Sequence, residues 1–331
     1  MKTKVLYVLI SDSSDYYAEQ LFVSILSLRR NSPGAIVSIL TDRATKDQLP
    51  GRGKAGPQLI EAPDEWIEVD LDFSLPKKLR SRMLKTGMRH YVNGTFLFID
   101  CDTIIARPLD SIDNCPAELA FCLDHHCPFQ EAVDVRSFII SDAKKLGTDL
   151  SDCPFYFNSG VILAKDTPAV RGFFERWQEE YLKGYEKGVT VDQPSLAKTI
   201  NEYPLSVDEL EAKWNCQLLY GARHLGETII FHYFGGLIYL PSPGFGRPLY
   251  ILNNPSTLSQ IRSGDSLPPE VNALLDDFFQ GISPFSHLSS ESDALFWTTR
   301  RYRYIRRHFV PGKFSLLEFL LKVRARLPFA K

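Results

Sequence analysis

"KVLYVLISDSSDYYAEQLFVSILSLRRNSPGAIVSILTD", residues 4–42, sets two short apolar runs on either side of an amphipathic segment. "KVLYVLI" (4–10) is β-branched and aromatic and reads as a buried strand. "SDSSD" follows, a loop rich in helix-capping side chains. Ala18, Leu21, Phe22, Ile25 and Leu28 then recur at helical spacing, a stripe that can face a sheet. "AIVSILTD" (35–42) is the second strand. Strand, helix, strand in that order is a βαβ unit, whose strands run parallel.

The alternation continues outward. "WIEVDL" (66–71), "TFLFID" (95–100), "AELAFCLD" (117–124) and "NSGVILAK" (158–165) read as strands. Residues 77–92 and "TPAVRGFFERWQEEYLKGYEK" (167–187) read as helices. The pattern predicts an α/β fold, a mostly parallel Rossmann-like sheet flanked by helices. The Pro/Gly-rich "YLPSPGFGRP" (239–248) marks the expected end of a catalytic domain, residues 1–248. Residues 249–331 would form a helical C-terminal region with a basic amphipathic tail.

Composition narrows the class. With 44% hydrophobic and 24% charged residues, the 331-residue chain is an ordinary globular sequence rather than a disordered one. No apolar stretch is long enough to cross a bilayer. The first apolar run stops at Ser11–Asp12 with no small-residue cleavage site, so it reads as a strand and not a signal peptide. Six cysteines without a CxxC pair fit neither a disulfide framework nor a zinc site, and a reducing cytoplasm suits them best. From Arg300 to Lys331 there are ten Lys/Arg and one acid, Glu318; set against a chain net charge of −2, this +9 segment leaves −11 on the rest. In that tail Phe314, Leu317, Leu320 and Leu321 form a helical stripe, followed by Lys322, Arg324 and Arg326. Such a segment suits an anionic membrane surface, the alternative being a helix packed on the catalytic domain. Nucleic acid is not an expected partner, because no binding fold is recognisable and the acidic body would repel phosphate chains.

In open α/β sheets, ligands bind at the carboxyl ends of strands, where Asp12, Asp100, Asp102 and Asp124 all fall. Four motifs stand out. In Asp100-Cys101-Asp102, alternation points both acids the same way, which suits a hard divalent cation that also holds a diphosphate; the plain alternative is a strand end with Asp102 capping a turn. "YFNSGVIL" (156–163) opens an apolar strand with Asn158, Ser159 and Gly160, or is simply a turn feeding a strand. In "VTVDQPSLAKTI" (189–200), Asp192 before Pro194 predicts a helix N-cap, which would also display Asp192 and Gln193 beside a pocket. "IIFHYFGG" (229–236) ends a β-like run with His232, by itself more often a hydrogen-bonded core residue than a ligand; Gly235 and Gly236 could bring backbone N–H groups to a phosphate.

Taken in order, this series resembles the GT-A nucleotide-sugar glycosyltransferases. It is most similar to glycosyltransferase family 8, which includes the glycogenins and bacterial lipooligosaccharide galactosyltransferases. The resemblance covers residues 4–240. It implies that Asp100, Asp102 and His232 hold Mn²⁺ or Mg²⁺ on the diphosphate of a UDP-sugar, the imidazole favouring Mn²⁺. It implies that Tyr17, with Tyr16 beside it, stacks on the uracil and that Asp12 meets the base edge. Arg82 or Lys85 would contact phosphate or sugar; Asn158 and Asp192 would bind sugar hydroxyls. Asp124 would face donor sugar or acceptor, and Cys101, Ser159, Gly235 and Gly236 would complete the donor site. Gln193 would lie near the anomeric carbon. Family 8 enzymes retain configuration, either by front-face substitution with Gln193 stabilising an oxocarbenium-like state or through a covalent intermediate on Gln193 or Asp192.

One departure is visible. Family members often carry a diphosphate-gripping lysine after the late histidine, and here Arg247 is the nearest cation; it or the Gly235–Gly236 amides would take that role, or the donor site is built differently. The implied activity is metal-dependent hexosyl transfer to a glycan or lipid-linked acceptor, as in lipopolysaccharide biosynthesis, by a cytoplasmic protein peripheral to the inner membrane face. Two alternatives stay open. A sugar-nucleotide-binding subunit without turnover would accommodate the missing lysine. An aspartate-dependent phosphatase could use Asp100 and Asp102, but leaves Tyr17, Asn158 and Gln193 unexplained.

Overall fold

The computed structural model describes residues 1–132, 136–217, 224–235, 249 and 251–280. Gly236, Arg247, the Pro/Gly-rich segment and the basic tail lie outside the described residues. Ten strands and ten α-helices follow in order among those described: β1 Lys4–Leu9, α1 Tyr17–Asn31, β2 Val37–Asp42, α2 Arg43–Gln48, α3 Ala55–Glu61, β3 Glu65–Val69, α4 Lys77–Thr86, α5 Met88–Tyr91, β4 Phe96–Ile99, β5 Thr103–Ile105, β6 Leu119–Leu123, α6 Arg136–Lys145, β7 Phe157–Ala164, α7 Pro168–Glu186, α8 Gln193–Glu202, β8 Asp208–Leu210, β9 Cys216–Gln217, β10 Ile230–His232, α9 Pro255–Ser263 and α10 Pro269–Phe279.

The βαβ expectation is met: β1 and β2 pair in parallel, Val5 opposite Val37. The main sheet has seven strands in the order β3-β2-β1-β4-β7-β6-β8. Its pairings are parallel except on the two sides of β7, so β7 alone runs against the others. Alternation divides the core between the two faces. Val5, Tyr7 and Leu9 pack with Leu21, Ile25 and Leu28 of α1 on one side. Leu6 and Val8 pack with Phe96, Phe98 and Phe121, and with Phe173, Phe174 and Trp177 of α7, on the other. Burial on both faces explains why these strands read as continuous apolar runs. Each such aromatic contributes about 1.5–3 kcal/mol on burial.

Three features differ from the sequence expectation. The helix expected over 77–92 breaks at Gly87, where a Cβ would come 2.3 Å from the Gln178 amide of α7; the helices approach too closely for a side chain. The late β-run shrinks to β10 and leaves the main sheet. It pairs with β5 and β9 in a second, three-stranded sheet, His232 opposite Thr103. The described residues beyond 248 return to the first half of the chain: Leu258, Ile261, Val271, Leu274 and Phe278 share the core of α1. Among the described residues no helix is long and apolar enough to cross a membrane, and all six cysteines are free.

Candidate active site

β4 ends at Ile99, and the Asp100 N–H extends its ladder to the Gly160 carbonyl of β7 at 2.8 Å. The chain then turns through Cys101 and Asp102 into β5. Because β10 pairs with β5, His232 arrives beside Asp102: Nε2 stands 3.4 Å from Asp102 Oδ1. Asp100, Asp102 and His232 each offer one ligand atom within 4.8 Å of the others. The second Asp102 oxygen accepts the Gly235 N–H at 2.5 Å. Burial alone would raise the Asp102 carboxyl, but His232 and the Gly235 amide overcome it and bring it down to about 2. Asp100 goes the other way: burial raises it although Lys85 Nζ lies 2.9 Å from Oδ1. Two carboxylates and an imidazole converging on one point, one acid held ionised, are a donor set that fits a divalent cation.

These groups line a cavity of roughly 600 Å³. One wall is α4, whose Lys77, Lys78, Ser81, Arg82 and Lys85 face it at helical spacing. Three of those cations are already neutralised. Lys77 pairs with Asp12 and Asp15 at 2.7 and 2.9 Å. Arg82 pairs with Asp192 at 3.0 Å, and Lys85 bridges Asp100 and Asp192. Among the described residues Lys78 has no carboxylate in ion-pair range; Nζ donates to Thr190 Oγ1 at 2.8 Å. Burial and the neighbouring Arg82 push its ammonium pKa down, as expected of a cation lacking an anion.

Asp192 stands at the N-cap position of α8, as expected, but does not cap it. Its carboxylate instead accepts from Ser159 Oγ at 2.8 Å and meets Arg82 and Lys85. Burial opposes its ionisation, yet those two cations hold it well below the usual carboxylate range. The next residue, Gln193, donates its amide N–H groups to Asp124 Oδ2 at 3.1 Å and to the Phe157 carbonyl at 3.2 Å. Oε1 is thereby the atom this side chain offers the cavity. β7 bulges where its register against β6 shifts between Phe121 and Cys122. The bulge lets consecutive residues work on the same site: Asn158 reaches Asp124 at 3.0 Å while Ser159 reaches Asp192.

The remaining expected residues are placed as follows. Tyr17 opens α1 and lines the cavity, as does Cys101, whose thiol donates to the Val8 carbonyl. Asp12 does not line it; its carboxylate is occupied by Lys77 and Ser14, and Ser14 and Asp15 stand at the wall instead. Asp124 is buried one hydrogen bond behind Gln193. Gly235 gives its N–H to Asp102 and is not in the lining, so it steadies a carboxylate rather than facing an anion. Sequence reasoning missed Lys77, Lys78, Asp15 and Phe234, all in the wall, and Asn215, which meets His232 Nδ1 at 2.9 Å. The lysines carried a readable signal, a basic pair at a helix start about one turn before Arg82. Asn215, in "KWNCQ", carried none.

No protein-family profile matches the chain, and no curated protein matches it. Several solved structures are similar at low identity. Mouse xyloside xylosyltransferase 1 in its apo form is 14% identical, with 71% of this chain and 98% of that one covered and a TM-score of 0.48. The galactosyltransferase LgtC, in complex with donor and acceptor sugar analogues, is 15% identical over 82% of this chain and 100% of that one, at 0.47. The glycosyltransferase GlyE of Streptococcus pneumoniae is 16% identical over 85% and 65%, at 0.47.

Proposed function

We propose that this chain is a divalent-metal-dependent glycosyltransferase of the GT-A type, similar to family 8, that moves a hexose from a UDP-sugar to a glycan or lipid-linked acceptor. The observation that carries the proposal is the convergence of Asp100, Asp102 and His232 within 4.8 Å, in a cavity shared with Asp192 and Gln193. A bound Mn²⁺ or Mg²⁺ would supply Lewis-acid stabilisation of the departing nucleoside diphosphate. Tyr17 offers an aromatic face for the base, and Lys78 is the cation best placed to meet diphosphate charge, since its neighbours on α4 are paired. Arg247 and Gly236 stay candidates for the same task.

Retention by front-face substitution suits the chemistry better than a covalent intermediate. Asp192, the stronger nucleophile of the pair, is tied to Arg82, Lys85 and Ser159. Gln193 has its amide protons committed, so its oxygen is the group available to a developing oxocarbenium charge. A cytoplasmic site, peripheral on the inner membrane face, would bring the cavity to lipid-linked acceptors and give the basic tail an anionic surface.

Thermal unfolding with nucleotide sugars, with and without Mn²⁺, tests the proposal. UDP compounds stabilise the fold only with the metal, and Asp102→Ala abolishes the shift. Release of UDP from UDP-glucose or UDP-galactose separates an enzyme from a binding subunit without turnover. Hydrolysis of a simple phosphate ester in place of UDP release would point to phosphatase chemistry. A chain that gains no stability from any UDP compound in the presence of Mn²⁺ sinks the proposal.

A further inference from the structure

His232 is buried, and on the side away from Asp102 its ring meets Asn215, Gly160 and Phe234. Accepting the metal site proposed above as the premise, we infer that Asn215 and the bare Cα of Gly160 are positioning residues that present His232 Nε2, with its lone pair, to the two aspartates.

The polarity can be followed from one end. A backbone N–H only donates, so the Asn158 atom facing the Gly160 N–H is its oxygen, and Nδ2 is the donor 3.0 Å from Asp124 Oδ1. Asn158 Oδ1 must then point away from Asp124. There it accepts the Gly160 backbone N–H at 2.8 Å, a donor that no amide flip can reverse. The same oxygen accepts Asn215 Nδ2 at 2.8 Å. That contact orients the Asn215 amide and leaves its Oδ1 facing His232 Nδ1 at 2.9 Å. An oxygen in that place accepts only, so Nδ1 carries the ring proton. A neutral imidazole has one N–H, hence Nε2 holds the lone pair. With the ring neutral, Nε2 and Asp102 Oδ1 are two acceptors 3.4 Å apart; a proton on Nε2 joins them when the ring is charged, and a divalent cation takes that place when it is not. Metal-ligating histidines are held in this way, through the other ring nitrogen.

Gly160 fixes the ring position. A Cβ there would lie 2.6 Å from His232 Cε1, 2.9 Å from Nδ1 and 2.8 Å from Asn158 Oδ1. Phe234 stacks on the ring, 4.2 Å between centroids and 6° from parallel. Any side chain at 160 displaces the imidazole or separates the Asn158 contacts.

The test uses the full chain. Two-bond ¹H–¹⁵N spectra of the metal-free protein, in alkaline buffer where the imidazole is neutral, report the tautomer directly. His232 is expected as Nδ1–H; a proton on Nε2 overturns the inference without any variant. Mn²⁺ affinity, from the electron paramagnetic resonance signal of the free ion, gives the second readout. Asn215→Leu removes the acceptor and lowers Mn²⁺ affinity by about 10–100-fold, as does Gly160→Ala. Asn215→Asp loses the donor to Asn158 but retains an acceptor at Nδ1, so its tautomer is the readout: Nδ1–H is expected, and Nε2–H overturns the inference. Wild-type affinity in folded Asn215→Leu overturns the inference and leaves the metal site standing. Absence of Mn²⁺ binding in the wild type sinks the metal site itself, a result distinct from the tautomer.

Discussion

The role proposed for Gln193 rests on what its amide protons already do. With both given to Asp124 and the Phe157 carbonyl, the remaining oxygen is fixed without reorganisation. Gln193→Ala is expected to lower kcat by about 10²-fold while Mn²⁺-dependent UDP binding stays near wild type. Lys78→Gln should weaken UDP binding on the order of tenfold and leave uridine binding unchanged, by titration calorimetry. Equal loss for both ligands would move the phosphate contact elsewhere. Acid stability follows in part from the depressed carboxylates of Asp12 and Asp192, with Asp102 acting in the same direction. Burial opposes ionisation of Asp12, but Lys77 and Ser14 bring it down to about 2, and Asp192 is lowered by Arg82 and Lys85. A folded pKa below the unfolded value of about 4 stabilises the protein above that pH and is lost as pH falls through the folded value. Urea unfolding should therefore weaken between about pH 4 and pH 2, and Lys77→Met should flatten part of that slope. A flat profile in the wild type would remove the pairing argument.

At the scale of elements, β7 carries the most weight. It is the reversed strand, it holds Asn158, Ser159 and Gly160, and its middle is buried between Phe98 of β4 and Phe121 of β6, both opposite Ile162. Ile162→Ala is expected to cost about 2–5 kcal/mol in denaturant unfolding, since both sheet faces are packed and the gap cannot collapse. The sequence located this strand to within a residue, because β-branched apolar residues bounded by Asn-Ser-Gly leave little choice. Its reversed direction was not readable, since an apolar run buried on both faces looks alike either way. The same limit applied to β10. Its three residues look like any strand end, and pairing with β5 rather than with the main sheet depends on contacts more than a hundred positions away.

At the scale of the molecule, α9 reaches back to the loop after β1. Arg262 donates to Glu19 Oε1 at 2.8 Å, to the Ser13 carbonyl at 3.1 Å and to the Asp15 carbonyl, and lies over the Tyr16 ring at 4.5 Å. Arg52 grips the same loop and Glu19 from the other side. This loop leads into Tyr17 and supplies Ser14 and Asp15 to the cavity wall. Arg262→Met should therefore raise the UDP Kd several-fold, roughly the loss of one charge-assisted contact, with Mn²⁺ affinity unchanged. A parallel loss of Mn²⁺ affinity would mean that the clamp supports the whole site and not the loop.

Local chemistry was enough to specify the βαβ start, the apolar strands, the amphipathic helices and the pair of acids at a strand end, because each follows from side chains a few residues apart. His232, Asp192 and Gln193 were nominated by the order of the motifs and the resemblance it carries, not by local chemistry alone. Contacts between distant segments chose the partners: His232 beside Asp102, Asp192 turned from its helix to Arg82, Asn215 behind the imidazole, Arg262 against the first loop. Hydrophobic periodicity records which face of an element is buried; it carries no address for what that face, or a polar side chain at its end, will meet.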